Sequence, residues 1–134
     1  MAFLGKVYTL DRNENLEEYI KALKLPEDKA QSFLNRKDSQ KLDKVGDEYV
    51  LTLIYSSGPV EIKFKSGVEF DEQIRPTITA RSTFTVEGNT VTHVQKFADG
   101  NIITYVREFT PEQFVMTITT NFWSGSCKQI YVAQ

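Results

Sequence analysis

The stretch Asn101-Ile-Ile-Thr-Tyr-Val-Arg-Glu-Phe109 decides the fold prediction, because it alternates as a strand does and carries a charge among its apolar residues. Successive side chains of a strand point to opposite faces, so the odd-numbered residues from 103 to 109 share one face. They are Ile103, Tyr105, Arg107 and Phe109. A guanidinium among apolar groups is costly unless something pairs with it. Arg107 therefore either turns to water or lies in an interior that an anion enters to meet it.

A second alternating stretch, Ser126-Cys-Lys-Gln-Ile-Tyr-Val-Ala133, lies near the end of the chain. The same rule places four residues on one face. They are Cys127, Gln129, Tyr131 and Ala133. We expect this face to line the same interior as the face that carries Arg107, so that the phenol of Tyr131 and the amide of Gln129 lie near the guanidinium.

Two short helices are predicted near the start of the chain. Leu16, Tyr19, Ile20 and Leu23 follow the i, i+3, i+4, i+7 spacing of an amphipathic helix. Pro26 suits the start of a second helix, whose short apolar face includes Phe33. The pattern predicts a helix-turn-helix unit over about residues 14–36.

The remaining chain reads as short strands separated by turn residues. Gly, Pro, Asn and Asp occur at roughly ten-residue spacing, between runs rich in Val, Ile, Thr, Phe and Tyr. These runs are 49–55, 60–65, 77–86, 90–97, 102–109 and 114–120, after a first strand at 5–10. Strands that follow one another in this way form an antiparallel meander, and a meander avoids exposed edge strands by closing into a barrel. A barrel of about ten strands is too wide for side chains alone to fill, so we expect a cavity with the helices over one mouth.

Composition narrows the class of protein. With 134 residues the chain is expected to form one domain over 1–134, and we expect a monomer. A net charge of -2 without a basic stripe argues against nucleic acid as a partner. The N-terminus lacks the pattern of a leader, and the single cysteine, Cys127, fits a reducing compartment, so a cytoplasmic location is predicted.

The sequence gives little support for catalysis or for metal binding. His93 is the only histidine, which leaves a metal cluster or a histidine-based triad without its parts, and we expect it on a strand surface. Asp71 and Glu72 are interpreted as solvated carboxylates, and Cys127 as an inert strand thiol. We predict a protein that is not an enzyme and requires no cofactor.

The chain resembles the intracellular lipid-binding proteins, which comprise the fatty-acid-binding proteins and the cellular retinoid-binding proteins. The resemblance rests on Phe3–Lys6, Asn15–Leu23, Gly67–Glu72, Val106–Glu108 and Cys127–Tyr131. It implies an all-β fold: a ten-stranded antiparallel up-and-down β-barrel of the calycin type with a helix-turn-helix lid. It also implies that one or two hydrophobic molecules bind inside without chemical change.

The resemblance assigns roles to residues at the end of the chain. In many fatty-acid binders of the family, an arginine on the eighth strand and an Arg-x-Tyr on the last strand hold the carboxylate. Arg107 and Tyr131 match these positions, whereas Gln129 replaces the second arginine. The resemblance therefore implies a carboxylate held by Arg107, with Gln129 and Tyr131 as neutral donors. Further candidate contacts for an apolar tail are Phe33, Phe84, Tyr105, Phe114, Met116 and Ile118.

Three functions remain open from the sequence. The first is a carrier of a long-chain fatty acid, and the second, suggested by Gln129, is a carrier of a retinoid or another isoprenoid. The third is a barrel plugged by aromatic side chains that acts as an interaction module. The basic residues Lys24, Lys29, Arg36 and Lys37 around the second helix also suggest transient contact with anionic membranes.

Overall fold

The chain forms ten strands, and two helices lie between the first strand and the second. The computed structural model describes residues 2–134; Met1, the first residue of the predicted domain, lies outside the described residues. The elements are β1 Val7–Glu14, α1 Leu16–Leu23, α2 Glu27–Asn35, β2 Ser39–Val45, β3 Glu48–Tyr55, β4 Gly58–Phe64, β5 Phe70–Arg75, β6 Ile78–Glu87, β7 Thr90–Lys96, β8 Ile102–Phe109, β9 Gln113–Thr120 and β10 Cys127–Ala133.

The strands form one antiparallel sheet that curls into a nearly closed barrel. Their order is β4-β3-β2-β1-β10-β9-β8-β7-β6-β5, so neighbours in sequence are neighbours in space. The first strand closes the barrel by pairing with both β2 and β10. β4 and β5 are the two ends of this order, and within residues 2–134 they do not hydrogen-bond to each other. The predicted ten-stranded up-and-down barrel with its helical lid is confirmed.

Two of the ten strands were not predicted from the sequence. β2 reads Ser-Gln-Lys-Leu-Asp-Lys-Val and β5 reads Phe-Asp-Glu-Gln-Ile-Arg, and both are poor in β-branched and aromatic residues. β2 nevertheless alternates, since Gln40 and Leu42 are buried. Because Gln40 is polar, the inward face of β2 lacks the apolar signal by which a strand is recognised.

The helices form a lid, defined here as residues 16–35. Leu16, Tyr19 and Ile20 of α1 are buried, which confirms the predicted apolar stripe. α2 has no fully buried residue, and Phe33 is among the α2 residues that pack partly against the core. Both helices lie within the predicted range of about residues 14–36. Within residues 2–134, the structure contains no helix long and apolar enough to span a membrane.

Trp123 connects the lid to the barrel rim. Its ring lies 5.8 Å from the ring of Tyr19 in α1, measured between centroids. Gly125 makes this position possible, because a Cβ there would come within 2.5 Å of the Trp123 ring. The single tryptophan of the chain is therefore held against the first helix.

Candidate ligand-binding site

A cavity of about 1390 Å³ lies between the lid and the strands, and it opens to solvent at exposed residues such as Glu61 and Arg75. This volume exceeds the roughly 300–1,000 Å³ that is usual for small-molecule sites. Its wall includes apolar residues from the lid and from several strands, among them Leu23, Leu51, Leu53 and Ile103. The alternative of a plugged barrel is therefore wrong: aromatic side chains do not fill the interior.

Arg107 lies on the cavity wall and is only 5% exposed. Its Nε donates a hydrogen bond to Gln40 Oε1 at 3.0 Å. Its Nη1 is buried and has no partner within residues 2–134. Burial lowers the pKa of Arg107, opposed by nearby tyrosines and carboxyl groups, but an arginine starts so high that it keeps its charge at neutral pH. A buried cation with an unused donor is suited to an anion.

Three further residues extend a directed chain of hydrogen bonds from the guanidinium. Since Gln40 accepts from Arg107 through its oxygen, its Nε2 donates to the Tyr131 hydroxyl at 3.3 Å. The Tyr131 hydroxyl in turn donates to the Asp38 carboxylate, whose Oδ1 and Oδ2 lie 3.0 Å and 3.1 Å from the hydroxyl oxygen. Neither Gln40 nor Asp38 was predicted from the sequence. The only sequence signal for Gln40 is the alternation of β2, and Asp38 precedes that strand.

Gln129 is on the cavity wall but outside this chain. It is 3% exposed, and its Nε2 donates to Asn13 Oδ1 on β1 at 2.9 Å. The register of β1 against β10 places the two residues opposite each other. The amide nitrogen of Gln129 is therefore bound to a neighbour on the adjacent strand.

A second polar cluster surrounds Glu72 of β5. Its Oε1 accepts hydrogen bonds from Ser82 Oγ at 2.8 Å, His93 Nε2 at 2.8 Å and Gln95 Nε2 at 3.2 Å. Tyr105 extends the cluster by donating to Gln95 Oε1 at 2.9 Å. These bonds connect the edge strand β5 to β6, β7 and β8.

Two sequence predictions are corrected by this cluster. His93 is not on a strand surface: it is 4% exposed and its ring stacks 3.8 Å from the ring of Phe84. Glu72 is not fully solvated, since its side chain is 12% exposed. Inward polar side chains are tolerated here because each finds a partner across neighbouring strands.

The protonation states of the pair follow from its burial. Burial lowers the pKa of His93, and the nearby Glu72 only partly offsets this. For Glu72, burial acts to raise the pKa, but hydrogen bonds from His93 and two other neighbours outweigh it, so that the pKa is lowered. At neutral pH a neutral imidazole therefore donates Nε2–H to a carboxylate.

The structure brings seven of the nine predicted site residues to the cavity wall. They are Phe33, Tyr105, Arg107, Met116, Ile118, Gln129 and Tyr131. Phe84 and Phe114 do not line it, and their expected place in the lining is corrected: both are 0% exposed and stack against other rings. Cys127 is buried, and burial raises the pKa of its thiol to about 11, which keeps it protonated and unreactive.

A lidded barrel with a large cavity and a buried cation defines a protein that binds an amphipathic molecule internally, and comparison with known proteins names the family. The chain is 39% identical over 133 residues to fatty acid-binding protein 2 of Manduca sexta, covering 99% of this chain and 100% of that one. Fatty acid-binding protein 1 of the same organism is 40% identical over the same shares. The crystal structure of the fatty-acid-binding protein isolated from Manduca sexta superposes with a TM-score of 0.89 at 39% identity, covering 98% of this chain and 99% of that one. No family model matches the chain.

The chain belongs to the fatty-acid-binding protein family. The resemblance predicted from the sequence is thereby confirmed. The family is by name one of binding proteins, so the prediction of a binding protein instead of an enzyme is also confirmed.

Proposed function

We propose that this protein is a cytoplasmic, monomeric carrier of a long-chain fatty acid, whose carboxylate binds Arg107 inside the cavity. The observation that carries the proposal is the buried Nη1 of Arg107, which has no partner within the described residues and lies on the wall of a cavity of about 1390 Å³. The names of the relatives from Manduca sexta support the same ligand class.

The tail supplies most of the affinity. Burying about fifteen methylenes at roughly 0.8 kcal/mol each gives on the order of 12 kcal/mol. Costs of association of several kcal/mol reduce the net toward micromolar or tighter binding. Met116, Ile118 and Leu53 provide apolar wall for the tail. The contact between carboxylate and guanidinium adds about 1.5–3 kcal/mol, which selects the head group.

Tyr131 is the second head-group residue in this proposal, and Gln129 contributes less. The hydroxyl of Tyr131 is linked to Arg107 through the single residue Gln40. The amide of Gln129 is bound by Asn13. Since Gln129 was the reason to consider a retinoid, its engagement away from Arg107 favours the fatty acid.

Competition between oleate and retinol tests the proposed ligand class. We expect oleate to displace a fluorescent fatty-acid probe at lower concentration than retinol, because only oleate carries an anion for Arg107. Oleyl alcohol is the matched control, with the same tail and no charge. Native mass spectrometry of protein purified from its source, followed by organic extraction, identifies the natural occupant. A preference for retinol, or an extract without fatty acids, would overturn the proposal.

The proposed carrier includes transient contact of the lid with anionic membranes. Lys24, Lys29 and Lys37 are exposed around α2. Arg36 is exposed as well, and its guanidinium carbon lies 4.5 Å from the ring centre of Phe33. The exposed lysines can therefore meet lipid phosphates without unpacking the lid.

Transfer of a fluorescent fatty acid to vesicles tests this contact. We expect faster transfer to vesicles that contain phosphatidylserine than to neutral vesicles, and loss of the difference on replacing Lys24, Lys29 and Lys37 with glutamate. Lys128→Glu on β10, exposed and outside the lid, is the control for a general change of charge. Equal rates to both kinds of vesicle for the wild type would exclude the contact.

A further inference from the structure

Asp38 is an acidic residue inside the proposed head-group site. It is 3% exposed, lies just before β2 and lines the same cavity as Arg107. Its carboxylate accepts the Tyr131 hydroxyl at 3.0 Å and 3.1 Å. A site for an anion thus already contains an anion of its own.

The phenol of Tyr131 cannot serve both anions at once. A tyrosine hydroxyl has one proton to donate, and here Asp38 receives it. Gln40 supplies the other hydrogen bond of that hydroxyl by donating to its oxygen. For a bound carboxylate to accept the Tyr131 proton, Asp38 must stop accepting it.

We propose that Asp38 takes up one proton from solvent when the fatty-acid carboxylate binds. The protonated carboxyl then donates its O–H to the Tyr131 oxygen, and the Tyr131 O–H turns to the ligand. The proton leaves a hydronium ion or a buffer acid, whose bond to hydrogen breaks as the O–H of Asp38 forms, and no other covalent bond changes. The proposal rests on the proposed function, because it concerns the same site and the same carboxylate.

The surroundings of Asp38 favour this uptake. Burial raises the pKa of Asp38, while Arg36 and the hydrogen bonds from Tyr131 and Gln40 oppose the rise. Arg107, farther along the chain of hydrogen bonds, also favours the ionised form. The other titratable neighbour is Tyr55 of β3, a phenol that is neutral at physiological pH and whose own pKa is raised by burial. A bound carboxylate would pair with Arg107 and so reduce the stabilisation that Arg107 gives to ionised Asp38. It would also place a second negative charge nearby. Both effects raise the pKa of Asp38 further.

The pH dependence has a definite sign. Where Asp38 is ionised in the free protein and protonated in the complex, affinity rises as pH falls, by up to about tenfold per pH unit for one proton. In Asp38→Asn the amide donates to the Tyr131 oxygen permanently. Its affinity should therefore be independent of pH between about pH 6 and 8, and at the upper end it should exceed that of the wild type.

Calorimetry with dodecanesulfonate below its micelle concentration tests the proposal. This probe stays ionised at every pH used, so the proton cannot go to the ligand. Titrations at pH 7.5 in buffers of different ionisation enthalpy should show uptake of about one proton by the wild type and none by Asp38→Asn. Asp43→Asn, a half-buried residue of β2 paired with Lys41, is the matched control and should keep the uptake.

The outcomes separate the two proposals. If the wild type binds neither oleate nor the sulfonate, the proposed function fails. Binding with uptake below about half a proton, or with uptake unchanged in Asp38→Asn, overturns the role of Asp38 alone. If Asp38→Asn does not fold, the carboxyl carbon resonance of Asp38 in the wild type decides: it must move to the protonated position when the sulfonate binds, and an unmoved resonance overturns the proposal.

Discussion

Replacing Arg107 with glutamine should weaken oleate binding by about 10- to 150-fold, the equivalent of a charge-assisted hydrogen bond worth about 1.5–3 kcal/mol. The loss follows because the guanidinium is 5% exposed and its Nη1 has no competing partner within residues 2–134. The fold should persist, since a neutral amide is less costly to bury than a cation. Glutamine also retains a donor for Gln40.

Two comparisons make this measurement specific. Methyl oleate, which lacks the anion, should bind wild type and Arg107→Gln within about twofold of each other, because only the tail contributes. Arg12→Gln, an exposed arginine on β1, should leave oleate binding unchanged. Titration calorimetry and circular dichroism measure affinity and fold on the same samples. An oleate affinity in Arg107→Gln equal to that of the wild type would contradict the head-group assignment.

Replacing Phe84 with alanine should lower the free energy of unfolding by about 3–5 kcal/mol, a large part of the 5–15 kcal/mol of a typical domain. Phe84 is 0% exposed, and its ring lies 4.3 Å from that of Phe64 and 3.8 Å from that of His93. Truncation removes packing on both sides of the ring and leaves a void that the barrel wall cannot readily close.

Urea denaturation followed by circular dichroism measures the loss. Phe122→Ala is the matched control, since that phenylalanine is 37% exposed and its truncation should cost less than about 0.5 kcal/mol. A cost below about 1 kcal/mol for Phe84→Ala would show that the ring is not a packing centre. Because Phe84 does not line the cavity, the effect on oleate affinity should be smaller than that of Arg107→Gln.

Periodicity predicted most of the fold, although it did not distinguish β2 and β5. The predicted strand over 102–109 coincides with β8, Ile102–Phe109, because the stretch is rich in β-branched and aromatic residues and its inward face is largely apolar. The lid was predicted from a change of period, from two to about 3.6 residues, together with Pro26 at the start of α2. Hairpin spacing then leaves few alternatives to a meander, and a meander of this length closes on itself.

The site could be predicted only in part, because its contacts join residues far apart in sequence. Arg107 and Gln40 are 67 residues apart, and the only local signal that Gln40 is an interior residue is the alternation of β2. His93 was expected at the surface because polar strand residues usually face water. Its partner Glu72 lies on another strand, and only the folded barrel shows that the two satisfy each other.

The contact between Trp123 and Tyr19 gives the protein an optical reporter of its own. Since the chain has a single tryptophan and its ring rests against α1, the emission of that one residue depends on whether the first helix is seated. Opening and closing of the lid can thus be followed by intrinsic fluorescence, with no dye attached and no residue changed.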